Sequence, residues 1–458
     1  MKTTRLLFVA ALLGVVSPIA LQAAVSAGQA ARLGTDLTPV GAERAANADG
    51  SIPAWDGKGT PVPAGWKPGD GYHNPFAAEQ PLYSVGVENM ARHERFLAEG
   101  VAALLDKWGK DGFRLDVYPT HRNSIQPQWF YDGTRQNATG AALVADGQKI
   151  EGNVAGVPFP LPQNGIEALW NHMLRFQGYQ TYYKYNSYYV DANGKPVLST
   201  TAENYIDYPM YIDHLKKRNY GTQDLRYSFL RVNYLAPARR AGEILLVHEP
   251  GADYTAGKGR DAWQYLTGQR RVRKAPAVSF DTPNPATAGM STYDDAYMYN
   301  GSPERFEWTL VGKKEIFVPY NNYVFSLERT VEEMMGSHFF KPEFVRWEKH
   351  RVWVVEGTLK PGSRHIYSKR RYYLDEDTWA GLIGETWDGQ GRLWRVQLMY
   401  PHHDWDLPSP ANTGYGGYDL ISNVYNINSK PIPGTYRNRH DASEQYFTPQ
   451  GMARTGIR

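Results

Sequence analysis

Between Arg346 and Tyr400 the chain alternates apolar and polar residues at the period of a β-strand, in four runs: RWEKHRVWVVEGTL, RHIYSKRRYYL, GLIGETW and GRLWRVQLMY. The connections KPGS, DEDTWA and DGQ are too short for a helical crossover, so the runs form an antiparallel meander. In the last run Trp394, Val396, Leu398 and Tyr400 share one side, opposite Arg395 and Gln397. That apolar side requires a cover. The same alternation recurs upstream, in TYYKYNSYYV and GKPVLST, LRYSFLRVNYL and GEILLVHE, AWQYL and RRVRKA, and RFEWTLVGKKEIFVP.

Two segments switch to the helical period. From Gly86 to Lys110, Met90, Leu97, Val101, Leu104 and Trp108 recur at threes and fours, which predicts a helix of about six turns. From Asn164 the run NGIEALWNHMLRF predicts a second helix over 164–176. Asn164 is its N-cap, Glu167 its capping partner, and Ile166, Leu169, Trp170, Met173 and Leu174 its apolar face. The reading is a mainly β (α+β) chain: one large curved antiparallel sheet, a half-barrel, covered by helices. The Asn164 helix is expected to plug the apolar side of the meander. Residues 24–85 carry Pro53, Pro61, Pro63, Pro68, Pro75 and Pro81 among Trp55, Trp66, Tyr72 and Phe76, which predicts an ordered extended arm. A single domain follows over 86–458, ending in an irregular tail from about 402 with YDLISNVYNI as one extra strand.

Composition adds a compartment. Lys2 and Arg5 precede an apolar run from Leu6 to Val16 and the small residues Ala23, Ala24 and Ala27, so residues 1–23 read as a signal peptide and the mature protein as periplasmic, with no membrane-spanning segment after cleavage. There is no cysteine for a disulfide or for lipid attachment, and the mean hydropathy is −0.54. A net charge of +3 gives no case for nucleic-acid binding. The 32 Tyr and 13 Trp suit strand surfaces and amphipathic pockets. Trp263, Tyr265, Trp353, Trp387, Trp394 and Leu398 are the expected cavity lining, behind their ordinary use in packing.

Chemistry is thin. In PHHDWD, His402, Asp404 and Asp406 share a side at period two and could hold zinc or act as acid and base. No second motif accompanies them, and a solvated strand end is the expected state. Asp375, Glu376 and Asp377 read as a surface hairpin tip. GADYTAGKG at 251–259 misplaces the Ser or Thr of a phosphate loop, and HExxH, GxGxxG and GxSxG are absent. RRVRK at 270–274 and KRR at 369–371 read as Arg stems covering the sheet. No catalytic residue, metal or cofactor is assigned.

Three blocks carry a resemblance: DLTPVGAERAANADGSIPAW at 36–55, GVPFPLPQNGIEALWNH at 156–172 and HRVWVVEGTLKPGSRHIYSKRRYYLDEDTW at 350–379. They resemble the bacterial family called domain of unknown function 1329, whose members are similar to outer-membrane lipoprotein-sorting proteins of the LolA/LolB-like fold. The resemblance implies a curved half-barrel plugged by helices over an apolar cavity. It also implies work in the periplasm or at the outer membrane beside exporters of the resistance-nodulation-division type. The functional expectation is a carrier of lipid or another hydrophobic ligand. The alternatives are an adaptor within an envelope transport complex and, third, a hydrolase built on His402, Asp404 and Asp406.

Overall fold

In the computed structural model residues 25–67, 69–212, 226–275, 280–407 and 409–456 are described, so the signal-like segment lies outside the described residues. One sheet gathers fifteen strands. They are β1 (Tyr83–Val85), β2 (Leu115–Val117), β3 (Gln180–Val190), β4 (Pro196–Asp207), β5 (Arg226–Ala236), β6 (Ile244–Pro250), β7 (Asp261–Leu266) and β8 (Arg271–Lys274). Then come β9 (Phe306–Pro319), β10 (Arg346–Leu359), β11 (Lys369–Asp375), β12 (Gly381–Trp387), β13 (Leu393–Met399), β14 (Tyr415–Asp419) and β15 (Val424–Pro431). The spatial order is β1-β2-β10-β11-β12-β13-β14-β15-β3-β4-β5-β6-β7-β8, with β9 also on β10. All neighbours are antiparallel except β2 on β10. The end strands do not meet, and the sheet stays open.

β14 and β15 correct the expectation of an irregular tail, because they join the meander β10–β13 to the upstream run β3–β8. Their glycines look like loop residues and act as spacers: a Cβ on Gly416 would sit 2.1 Å from the Asn426 carbonyl oxygen.

Four helices are used below: α1 (Glu99–Trp108), α2 (Gln128–Gly140), α3 (Gly165–Met173) and α4 (Pro449–Gly456). The cover of the Val396 face is α1. Its Val101, Leu104, Leu105 and Trp108 share one buried cluster with Ile383, Val396, Leu398, Tyr400 and Ile427. The helix lies so close that a Cβ on Gly100 would stand 2.7 Å from a Val396 methyl, and the Gly100 N–H donates to Glu385 Oε1 at 2.6 Å. Each buried Leu or Val contributes roughly 1.5–3 kcal/mol before chain entropy is counted. The six-turn helix expected from Gly86 is shorter. Single 3-10 turns at Met90–Arg92 and Glu94–Phe96 precede an extended Leu97, because Phe96 and Leu97 both turn inward onto this cluster.

α3 begins as expected, with Asn164 Oδ1 accepting from the Glu167 N–H at 3.0 Å. It covers the other face. Leu169, Trp170 and Met173 cluster with Val355, Tyr372, Leu374 and Met399, the residues that alternate with the α1 face. The expected plug of the Val396 side is thus α1, with α3 on the opposite side of the same strands. Trp394 leaves the face assigned to it. A bulge between Thr386·Arg395 and Trp387·Leu393 makes it the extra residue, and its Nε1–H donates to Asp419 Oδ2 at 2.8 Å.

The arm is ordered across the body. Trp55 is buried with its Nε1–H on the Ser124 carbonyl, Leu33 and Leu37 pack on Ala138 of α2, and Trp66, Tyr72 and Phe76 pack among Tyr323, Trp405 and Tyr436. Two substitutions separate packing from capping. Gly100→Val should lift α1 from β13 and cost about 1–3 kcal/mol or more, whereas Asn164→Ala should cost about 1 kcal/mol. Urea unfolding followed by far-UV circular dichroism checks both; equal costs would contradict the close approach at Gly100.

Candidate ligand cavity

The six aromatic and aliphatic residues expected to line a cavity do not converge. Tyr265 is buried with Ile244, Leu246, Phe447 and Met452 beneath α4, and Trp263 packs on that cluster. Trp353 stacks on Trp379 at 6.1 Å, Trp387 lies under Lys369 Nζ at 3.8 Å, and Trp394 lies under the Arg395 guanidinium at 4.0 Å. Leu398 belongs to the α1 cluster.

The space lies on the inner face of β3–β6, where residues 280–301 cross the sheet with only single 3-10 turns of their own. Between this segment and the strands remains a cavity of ≈ 100 Å³. Leu230, Val232, Leu245 and Val247 supply its apolar wall, Tyr185 and Tyr415 flank it, and Tyr293, Ala296 and Tyr297 close it. A second space of ≈ 40 Å³, walled by Arg175, Gln177, Tyr208 and Tyr227, shares Leu230, Glu249, Tyr297 and Asn300 with the first. Outside lies a broader groove of ≈ 620 Å³, bounded by Tyr254, Arg260, Lys274, Phe280 and Glu304. The groove is larger and its lining carries Arg260, Asp261, Lys274 and Glu304, whereas the inner pair has the aliphatic wall of Leu230, Val232, Leu245 and Val247 that an apolar ligand needs. Arg260 walls both groove and cavity; its guanidinium meets Glu249 Oε1 at 2.8 Å and donates to the Asn300 carbonyl at 2.7 Å.

The closing segment is latched. Arg370, fully buried on β11, donates to both Asp294 oxygens at 2.9 and 3.0 Å and to Asp295 Oδ1 at 2.9 Å, while the Tyr367 hydroxyl donates to Asp295 Oδ2 at 2.8 Å. Burial alone would raise the Asp294 carboxyl, but Arg370 and His365 bring it well below the usual carboxylate range. Next to the latch Tyr297 and Met298 hold φ of 54° and 83°, a left-handed backbone that costs of order 1–3 kcal/mol for each residue. Met298 also explains a glycine in β12: a Cβ on Gly381 would lie 2.8 Å from the Met298 Cβ.

The acidic and histidine runs are not where their polarity placed them. Asp375, Glu376 and Asp377, expected at a solvated hairpin tip, are 0%, 1% and 3% exposed. The arm and its neighbours cover them: Arg122 donates to both Asp377 oxygens at 2.8 and 2.7 Å, and Glu376 takes Arg351 at 3.2 Å and Lys313 at 2.9 Å. Burial and the Asp377 charge push Asp375 up to about 6. His350, Asp375 and Asp377 place one ligand atom each within 4.8 Å of one another, the spacing of a metal group. Arg122 already supplies positive charge there, so the cluster reads as an ionic seam between arm and sheet. His402, His403 and Asp404, expected at a solvated strand end, are also buried, and Tyr436 donates to Asp404 Oδ2 at 2.9 Å. Asp406 accepts from the Tyr72 hydroxyl at 2.6 Å, and His402 Nε2 lies 3.5 Å from Asp404 Oδ1.

These features define a class: a bent, open antiparallel sheet whose inner face is closed over a small cavity by a segment of its own chain. Residues 84–453 match the family described as protein of unknown function DUF1329, and the chain belongs to that family. It is 39% identical over 464 residues, 100% of both chains, to the uncharacterized protein PA3922 of Pseudomonas aeruginosa. Among solved structures it is similar to an outer membrane lipoprotein-sorting protein domain from Vibrio parahaemolyticus, with 13% identity, 63% of this chain and 98% of that chain covered, and a TM-score of 0.42. A DUF1329 family protein from Desulfovibrio piger gives 14%, 60%, 92% and 0.39, and a LolA superfamily protein from Nitrosomonas europaea 13%, 62%, 97% and 0.35.

The latch has a testable pH window. Asp294 titrates near 3.9 when unfolded, as aspartates do on average (about 3.9), and far lower when folded. Its contribution is complete above about pH 4 and is lost as pH falls below it. Limited proteolysis should spare 280–301 from pH 8 to 5, with protection declining gradually as pH falls below about 4 toward the much lower folded value. Arg370→Met, which leaves two buried carboxylates without their cation, should expose the segment at neutral pH and cost about 3–5 kcal/mol; unchanged protection in that variant would refute the latch.

Proposed function

We propose that the protein is a periplasmic binding protein that carries a hydrophobic small molecule on the inner face of its sheet, under residues 280–301. The observation that carries the reading is the apolar wall of Leu230, Val232, Leu245 and Val247, left unfilled beneath a segment that is latched by Arg370 and anchored by Met298 and Tyr299 in the α3 cluster. Each methylene buried there is worth about 0.8 kcal/mol, so about ten would reach micromolar affinity. A cavity of ≈ 100 Å³ takes only part of such a chain, so a longer ligand moves 280–301 outward. The N-terminal Lys2, Arg5 and apolar run to Val16 support export, and among the described residues no helix is long and apolar enough to cross a membrane. Transfer of the ligand to an envelope exporter of the resistance-nodulation-division type is the extension that the sequence resemblance implies.

The test is uptake. Native mass spectrometry and solvent extraction of gently purified protein should show bound lipid, and the stripped protein should take up N-phenyl-1-naphthylamine, a neutral apolar dye. Val247→Trp, which fills the cavity, should lower uptake at least tenfold with an unchanged circular dichroism spectrum. A stripped, folded protein that takes up neither dye nor lipid would refute the reading, and partner capture without uptake would favour an adaptor.

A further inference from the structure

Arg175, just beyond α3, is 3% exposed, yet among the described residues no carboxylate pairs with it. One terminal nitrogen donates to the His172 carbonyl at 2.6 Å and the other to Gln177 Oε1 at 3.0 Å, while the Nε–H is buried without an acceptor. Comparable buried guanidinia are neutralised: Arg122 by Asp377, Arg346 by Glu348 and Arg370 by Asp294. Arg231 lacks a carboxylate too, but all three of its nitrogens donate, to Asn233, the Tyr446 carbonyl and Thr455. A guanidinium keeps its proton in any protein environment, so Arg175 is a buried charge awaiting an anion. Glu249 is at hand in the same wall and is committed to Arg260 and Asn300.

We infer that Arg175 binds the acid head of the ligand, which is therefore an alkyl monocarboxylate, with the head in the smaller space and the chain running past Leu230 into the apolar cavity. This rests on the carrier reading above and names its ligand class. The shared wall of Leu230, Tyr297 and Asn300 makes the two spaces continuous for one extended molecule. The smaller, ≈ 40 Å³, suits a carboxylate, whose bulk is comparable to one or two waters of about 30 Å³ each. A lipid phosphate with its ester substituents is larger. The planar fork of Arg175 matches two carboxylate oxygens, and the Tyr227 hydroxyl beside it is already spent on the Arg175 carbonyl.

Calorimetry and dye displacement on the stripped full-length mature protein, with dodecanoic acid, methyl dodecanoate and dodecyl phosphate at pH 7.5, test the assignment. The acid should bind at least tenfold tighter than the ester and the phosphate. Arg175→Met should weaken the acid at least tenfold more than it weakens the ester or the neutral dye, with Arg175→Lys between. Because Arg175→Met removes an uncompensated charge, its thermal midpoint should stay level or rise; a purely structural arginine would lower it. Equal binding of acid and ester, an acid affinity that Arg175→Met does not move, or a preference for the phosphate would each overturn the inference while leaving the cavity reading intact. Loss of dye uptake by the wild type as well would instead remove the cavity reading itself.

Discussion

The meander strands β10–β13 are apolar on both faces, and both have to be withdrawn from water; the placement of α1, α3 and residues 280–301 follows from that demand. On the outer side of the meander a short helix suffices, because Gly100 lets α1 settle onto Val396 without a Cβ between them. On the other side α3 covers β9 and β10, and irregular chain continues the cover where the sheet bends. Residues 280–301 are the most consequential part of that cover. They carry no long helix of their own and are held both by a buried ion cluster and by Met298 and Tyr299 in the α3 cluster.

The ionic part of that hold has physical consequences. An apolar core resists opening in proportion to the area it buries, whereas an ion cluster is held by few, directional contacts and opens as a unit. The Asp294–Arg370–Asp295 group therefore suits a segment that has to stay closed and still be displaced. The left-handed backbone at Tyr297 and Met298 works the same way, since strain tolerated only in the closed form favours the open one. The arm seam uses the same chemistry for a different end. There Arg122, Arg351 and Lys313 meet Glu376 and Asp377 across long sequence separations.

Much of the architecture was legible in the chain, because period-two alternation and short Gly- and Asp-rich turns report strands directly. The meander, the hairpins before it and the Asn164 cap all read correctly. What escaped was set by tertiary contacts. β14 and β15 hide behind glycines that serve close backbone approach; Trp394 is thrown off its face by a bulge; Phe96 and Leu97 break a helical pattern in order to pack. The runs DED and PHHDWD look solvated because nothing local announces that the arm will cover them. The cavity escaped for the same reason. Its wall is ordinary β-sheet sequence, and its lid carries no periodicity.

Arg175 shows how such a site announces itself once the fold is known. In the sequence it is one basic residue at the end of a helix, where a positive charge is favoured by the carbonyl ends and needs no further reason. In the structure that explanation fails, because a helix terminus offsets at most about 2 kcal/mol and a fully buried, unpaired cation costs several. His172 in the same turn is held neutral by burial and by Arg175 itself, so the protein has not softened the charge with a nearby anion. A fold that satisfies Arg122, Arg346 and Arg370 with carboxylates has the means to satisfy Arg175. Among the described residues it instead leaves the buried Nε–H without an acceptor, in a side chain that walls the smaller space, and the inferred ligand supplies the missing anion.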